Sequence, residues 1–255
     1  MEAAVTGRTH PQIRVLRNRE ALSLAAAELV SSIAEESIAG KGRFSVALSG
    51  GTTPRRLYSL LGASPFRERI DWEKVHLFWA DERCVPADHS ESNYRLVVDT
   101  LLRRVDVPKD HVHRIRGEAE PERAAREYEE DIRRFFAPEP APVFDLVLLG
   151  AGEDGHTASL LPGSPALREK KRLVVPVHRE PPKPSRVTLT LPALNHASHI
   201  LFLAAGHAKA AIVHEIVEDG NPKEYPAGLV QPVDGTVTWM IDREAAGLLD
   251  DQLAS

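Results

Sequence analysis

The sequence predicts an α/β fold: one doubly wound, mostly parallel sheet with helices on both faces. Three observations carry that expectation. Short, continuously apolar runs recur, among them Phe44–Leu48, Val75–Trp79 and Leu146–Leu149. Runs of that kind bounded by turn residues read as strands covered on both faces, as in parallel sheets. Segments with apolar residues at helical spacing alternate with them almost throughout, the signature of βα units.

Residues 1–12 are polar and read as a loosely ordered extension, leaving a single domain over 13–255. Leu22, Ala26, Leu29 and Ile33 form one apolar stripe of a helix, with Gly40 as its expected stop. The strand Phe44–Leu48 ends at Ser49-Gly-Gly-Thr-Thr-Pro54. A helix over 54–61 follows, since proline suits a first helical turn. Val75–Trp79 is the next strand and ends at Ala80-Asp-Glu-Arg83. Val97, Val98, Leu101, Leu102 and Val105 mark another helix, and Pro121–Phe136 a charged one with a thin apolar face. A proline-rich connector over 137–142 leads to Leu146–Leu149, which stops at Gly150. Strands are expected over 173–177, 187–191, 200–204 and 237–241, with a helix over 207–217 opening after Gly206.

Composition narrows the class. A chain of 255 residues, 42% hydrophobic and 27% charged, can bury the core of one globular domain. A net charge of −5 argues against nucleic-acid binding, though local arginines can still hold a small anion. Cys84 is the single cysteine, so no intrachain disulfide can form and a reducing, cytoplasmic setting is expected. No apolar run approaches membrane-spanning length, and no membrane partner is expected. A small-molecule substrate and a monomer or weak dimer complete the expectation.

Chemistry-bearing residues gather at the predicted strand exits. Ser49-Gly50-Gly51-Thr52 lies between a strand and a helix, where glycines allow close backbone approach and helix N–H groups attract a phosphate. The alternative is a tight turn chosen for geometry alone. Gly150-Ala-Gly-Glu-Asp-Gly155 matches a dinucleotide fingerprint formally. Pro162-Gly-Ser-Pro165 breaks the helix that fingerprint requires, so no nicotinamide or flavin is expected. Within the same turn Asp154 and His156 can form an acid–imidazole pair able to move a proton near neutral pH. The alternative is a capping histidine beside a turn aspartate. Arg83 follows a strand directly and can clamp a phosphate or a developing oxyanion, or simply join a surface ion pair. Arg186 opens a strand, and Lys209 sits near a helix N-terminus, where a bound phosphate would relieve an unfavourable dipole contact. No histidine, acid and cysteine grouping has metal-ligand spacing, so no metal is expected.

Six stretches together resemble one family, the 6-phosphogluconolactonases. They are Leu48-Ser-Gly-Gly-Thr-Thr-Pro54, Phe78-Trp-Ala-Asp-Glu-Arg-Cys-Val-Pro86 with Ser92-Asn-Tyr94, and Leu149-Gly-Ala-Gly-Glu-Asp-Gly-His-Thr-Ala-Ser-Leu-Leu-Pro162. Pro184-Ser-Arg-Val-Thr-Leu-Thr190, Gly206-His-Ala-Lys209 and Pro226-Ala-Gly through Trp239 follow in order, so the resemblance spans about 44–242. It implies a Rossmann-like fold shared with glucosamine-6-phosphate deaminases, and hydrolysis of 6-phospho-D-glucono-1,5-lactone without metal or organic cofactor. It implies further that His156 is the general base, tuned by Asp154, and that Arg83 is an active-site arginine. Ser49, Gly50, Gly51 and Thr52, with Arg186 and Lys209, would form the phosphate cradle. Ala80 and Leu161 depart from the family pattern, where glycine and an aromatic are common. Two rival readings stay open: a glucosamine-6-phosphate deaminase/isomerase, and a sugar-phosphate sensor without catalysis.

Overall fold

A computed structural model describes residues 11–139, 141–218 and 225–250. Its strands are β1 (Gln12–Leu16), β2 (Phe44–Leu48), β3 (Val75–Trp79), β4 (Asp81–Arg83), β5 (Leu146–Leu149), β6 (Val174–Val177), β7 (Arg186–Leu189), β8 (His199–Ala204) and β9 (Thr236–Asp242). The α-helices are α1 (Arg19–Lys41), α2 (Thr52–Leu61), α3 (Phe66–Arg69), α4 (Asn93–Val97), α5 (Pro121–Phe136), α6 (Leu191–Leu194) and α7 (Ala210–Val217).

Six strands form one all-parallel sheet in the order β1-β9-β8-β5-β2-β3. The predicted fold class therefore holds. β2 and β5, buried at every position, lie side by side in its interior. Each of their large apolar side chains adds about 1.5–3 kcal/mol by leaving water. From β2 the chain builds outward to β3, whereas from β5 it builds the other way through β8 and β9. The order thus reverses between β2 and β5, the point at which open α/β sheets bind ligands at the carboxyl ends of their strands.

Several boundaries differ from expectation for physical reasons. α1 runs to Lys41, and Gly42 rather than Gly40 stops it, taking φ +75 and donating to Ile38 O. α2 starts at Thr52, two residues before Pro54. The 97–105 stripe divides into α4 and a wider π-helical turn over Val98–Leu102. The 207–217 segment opens with a 3₁₀ turn, His207–Lys209, before α7. β1 is a half-exposed edge strand beginning at Gln12, within the stretch read as an extension; residues 1–10 lie outside the described residues. The strands expected over 173–177 and 187–191 leave the main sheet and pair antiparallel with β4 in the order β4-β7-β6. This second sheet carries two of the candidate arginines.

At the amino-terminal end of β3, His76 stacks on His111 with ring centroids 3.8 Å apart. Its Nδ1 meets His113 Nε2 at 3.3 Å, and His113 Nδ1 meets Asp131 at 2.8 Å. Burial, then the charges of His111, His113 and Arg43, push the His76 imidazole down to about 4, with Asp110 opposing. The unfolded chain takes up that proton near 6.5, the folded chain only near 4. Below about pH 6.5 the unfolded state binds more protons, so this contribution to stability is full above that pH and lost toward pH 4. Thermal unfolding should show the midpoint falling across that window, and His76→Asn should flatten the fall. An identical pH dependence in the variant would assign it to other groups.

Candidate active site

The carboxyl ends of β8, β5, β2 and β3 are neighbours on one edge of the sheet. At ~4.8 Å per strand they span roughly 14 Å. Each exit is pinned by a side chain from a later element. Tyr58 of α2 donates to Ser49 O at 2.7 Å and accepts from Ser49 N at 3.1 Å. Tyr128 of α5 does the same for Trp79, at 2.9 and 2.7 Å. Thr157 Oγ1 donates to Gly150 O at 2.9 Å, and Gly206 N donates to Asp242 Oδ1 at 2.9 Å. These are the backbone groups that a loop leaving a sheet would otherwise strand without partners.

Beyond β5 the chain folds tightly on itself. Gly152 N donates to His156 O at 2.8 Å, and Gly155, at φ +77, donates to Gly152 O at 3.0 Å. A β-carbon at Gly152 would overlap the His156 ring, so only glycine lets the imidazole lie there. Asp154 Oδ1 takes both the His156 backbone N–H, at 3.1 Å, and the ring Nδ1, at 2.5 Å. Burial raises the Asp154 carboxyl, but the bonds from His156 outweigh it and hold the group below its usual range. With a carboxylate on Nδ1, that nitrogen carries the proton and Nε2 keeps its lone pair. The ring is about a third exposed, and among the described residues nothing bonds Nε2.

Past Thr157 the backbone turns through Ala158 at φ +48, a left-handed conformation that costs a non-glycine residue about 1–3 kcal/mol. The turn delivers Ser159 Oγ to Asp81 Oδ2 at 2.5 Å and within 3.3 Å of Arg186 Nη1. Ser159 lies three residues on from His156, a reach of at most about 11 Å. His156 and the Arg186 guanidinium therefore lie close together beyond the β5 exit.

Arg83 and Arg186 stand opposite each other in the β4–β7 ladder. Like charges in that register repel. Among the described residues Arg186 has one ion-pair partner, Asp81 Oδ2 at 3.6 Å, and both side chains of that pair are largely buried. Burial, with the neighbouring charges of Arg83 and Arg179, holds the Arg186 guanidinium below its ordinary value against the pull of Asp81 and Glu91. The Nε atoms of both arginines and Ser49 Oγ are buried without a hydrogen-bond partner. Buried donors are rarely left so.

Residues 17–239 match the family described as glucosamine-6-phosphate isomerases/6-phosphogluconolactonase. The chain belongs to that family. A 6-phosphogluconolactonase of Synechocystis is 41% identical over 92% of this chain and 97% of its own. A human 6-phosphogluconolactonase is 41% identical over 93% of each chain. The solved 6-phosphogluconolactonase from Trypanosoma cruzi superposes with a TM-score of 0.83 at 35% identity, covering 95% of this chain and 98% of its own.

Of the residues expected to form the family site, Ser49 and Gly50 follow β2, and Asp154 and His156 follow β5. Arg83 and Arg186 face each other across β4 and β7, and Arg83 bonds Asn93, whose amide lies against Gly50. Gly51, at φ +106, turns the chain into α2, whose first residue is Thr52. Lys209 closes the 3₁₀ turn beyond β8, and among the described residues no carboxylate pairs with it. Sequence reasoning passed over Asp81, Glu82, Asn93 and Ser159 as individual site residues. Their importance comes from contacts across the fold, and the one available signal was their presence inside the quoted motifs. Among the described residues no grouping of three or more histidine, cysteine or acidic side chains could hold a metal.

Proposed function

We propose that this protein hydrolyses 6-phospho-D-glucono-1,5-lactone to 6-phospho-D-gluconate. The reading rests on one observation above the others: of two register-opposed arginines, Arg186 bonds Ser159, three residues along the chain from an Asp154-oriented histidine. The curated relatives bearing the lactonase name, at about 40% identity, support it. In this reading the phosphate lies against Arg186, Lys209 and the Ser49-Gly50-Gly51-Thr52 loop, and so converts attack on the ring into an oriented event. His156 Nε2 takes a proton from water as the water oxygen bonds to the lactone carbonyl carbon. Arg83 stabilises the tetrahedral oxyanion. When the bond from that carbon to the ring oxygen breaks, His156 returns the proton to the departing oxygen. Ester hydrolysis by water needs no electron carrier and no group carrier.

The same proposal treats residues 13–255 as one catalytic domain, working on a small phosphorylated sugar in the cytoplasm as a monomer or weak dimer. Among the described residues no helix is long and apolar enough to cross a membrane. The deciding assay supplies purified protein with fresh 6-phosphogluconolactone and follows acid release above the spontaneous rate. A parallel reaction with glucosamine 6-phosphate follows ammonia. Catalysed acid release without ammonia is expected. Ammonia release would assign the deaminase reaction, and binding of 6-phosphogluconate without turnover would assign a sensor.

A further inference from the structure

We propose that Asn93 is a positioning residue of the site, fixing the Arg83 guanidinium and setting how closely the Ser49-Gly50-Gly51 loop approaches it. The inference rests on the lactonase reading for the use made of Arg83. Asn93 is 1% exposed, and its amide is spent entirely on the site. Oδ1 accepts from Arg83 Nη1, while Nδ2 donates to Asp81 O at 2.9 Å and Asp81 Oδ1 at 3.1 Å. The same amide occupies the space a β-carbon on Gly50 would need. One side chain therefore touches β4, the arginine and the glycine loop at once.

Asn93 is not kept for the helix it begins. Ser92 caps α4 by accepting from Arg95 N at 3.1 Å. The buried Glu82 carboxylate receives Asn93 N and Tyr94 N at 2.8 Å each, and Ser92 Oγ at 3.0 Å. None of these bonds uses the Asn93 side chain, which is left for Arg83 and Asp81. Glu82 thus anchors the segment, and the Asn93 amide transmits that placement to the guanidinium. Without it Arg83 Nη1 keeps one acceptor, Glu91 O at 3.1 Å, and can swing.

Two double-substitution cycles on the full chain test this. In the first, kcat/KM for 6-phosphogluconolactone is measured for Asn93→Ala, Arg83→Ala and the pair. Asn93→Ala should lose roughly tenfold, the scale of one hydrogen bond to a charged group. The pair should be hardly worse than Arg83→Ala alone, because Asn93 acts through that arginine. Losses that multiply would overturn the assignment. In the second, thermal unfolding is followed for Gly50→Ala with and without Asn93→Ala. The glycine substitution should lower the midpoint only where the asparagine is present, and an equal drop in both backgrounds would overturn the packing role. Should Asn93→Ala not fold, Asn93→Ser takes its place in both cycles. A wild-type chain with no lactone turnover would sink the lactonase reading and the kinetic role together. The unfolding cycle would still decide whether Asn93 holds the loop.

Discussion

Replacing His156 by alanine is expected to lower kcat for lactone hydrolysis about 10²–10⁴-fold, the usual contribution of one positioned acid–base group, with KM little changed. The reason lies in the turn beyond β5. Asp154 occupies Nδ1, which leaves Nε2 as the ring nitrogen proposed to accept the proton; the side chain is about a third exposed. Alanine removes that acceptor without touching the arginine pair, so binding should survive while turnover falls. Asp154→Asn leaves the size of the partner intact and takes away the carboxylate that selects the Nδ1–H form. It should lower kcat in the same direction. Single-turnover rates, corrected for spontaneous opening of the lactone, are the measurement that checks this. Full kcat in His156→Ala would remove the proposed base and leave proton transfer to another group.

Legibility followed burial. Strands covered on both faces announced themselves as unbroken apolar runs, which is why β2, β3 and β5 have the ends expected for them. α5 did so through Pro121 at its start and a regular apolar face. β1 alternates exposed and half-buried residues at a sheet edge, so its Gln12-Ile-Arg-Val-Leu16 run carries little signal. β4 is three residues long and polar. It is a strand because β7 pairs with it from about a hundred residues away, and no local pattern encodes that. The site divides in the same manner. Glycine turns, His156 and Arg83 were visible because strand exits are where ligands bind and those residue types do chemistry. Ser159, Asp81 and Asn93 were not, since each matters through a partner far off in sequence: Ser159 reaches back to Asp81, and Asn93 reaches across to Gly50. Lys209 looked like a first-turn helix residue, yet a 3₁₀ turn precedes α7 and carries it.

The second large effect belongs to Arg186. Arg186→Ala should raise KM for the phosphorylated lactone by roughly 10–100-fold, the loss of one or two hydrogen bonds between charged groups, and change kcat less. The argument starts from electrostatics. A guanidinium opposite another in a strand ladder, largely buried, with one carboxylate at 3.6 Å and an unmet Nε, is an expensive arrangement for an unliganded fold. A dianionic phosphate would compensate both positive charges. Substrate without a phosphate cannot exploit this, so wild type and Arg186→Ala should converge on unphosphorylated gluconolactone. That convergence separates an anion-binding role from a general loss of shape. Arg186→Lys should recover only part of the affinity, because an ammonium lacks the planar fork that meets two phosphate oxygens at once. An unchanged KM in Arg186→Ala would move the phosphate elsewhere, toward Lys209 and the β8 exit. A loss equal for both lactones would instead make Arg186 a support for Asp81 and Ser159.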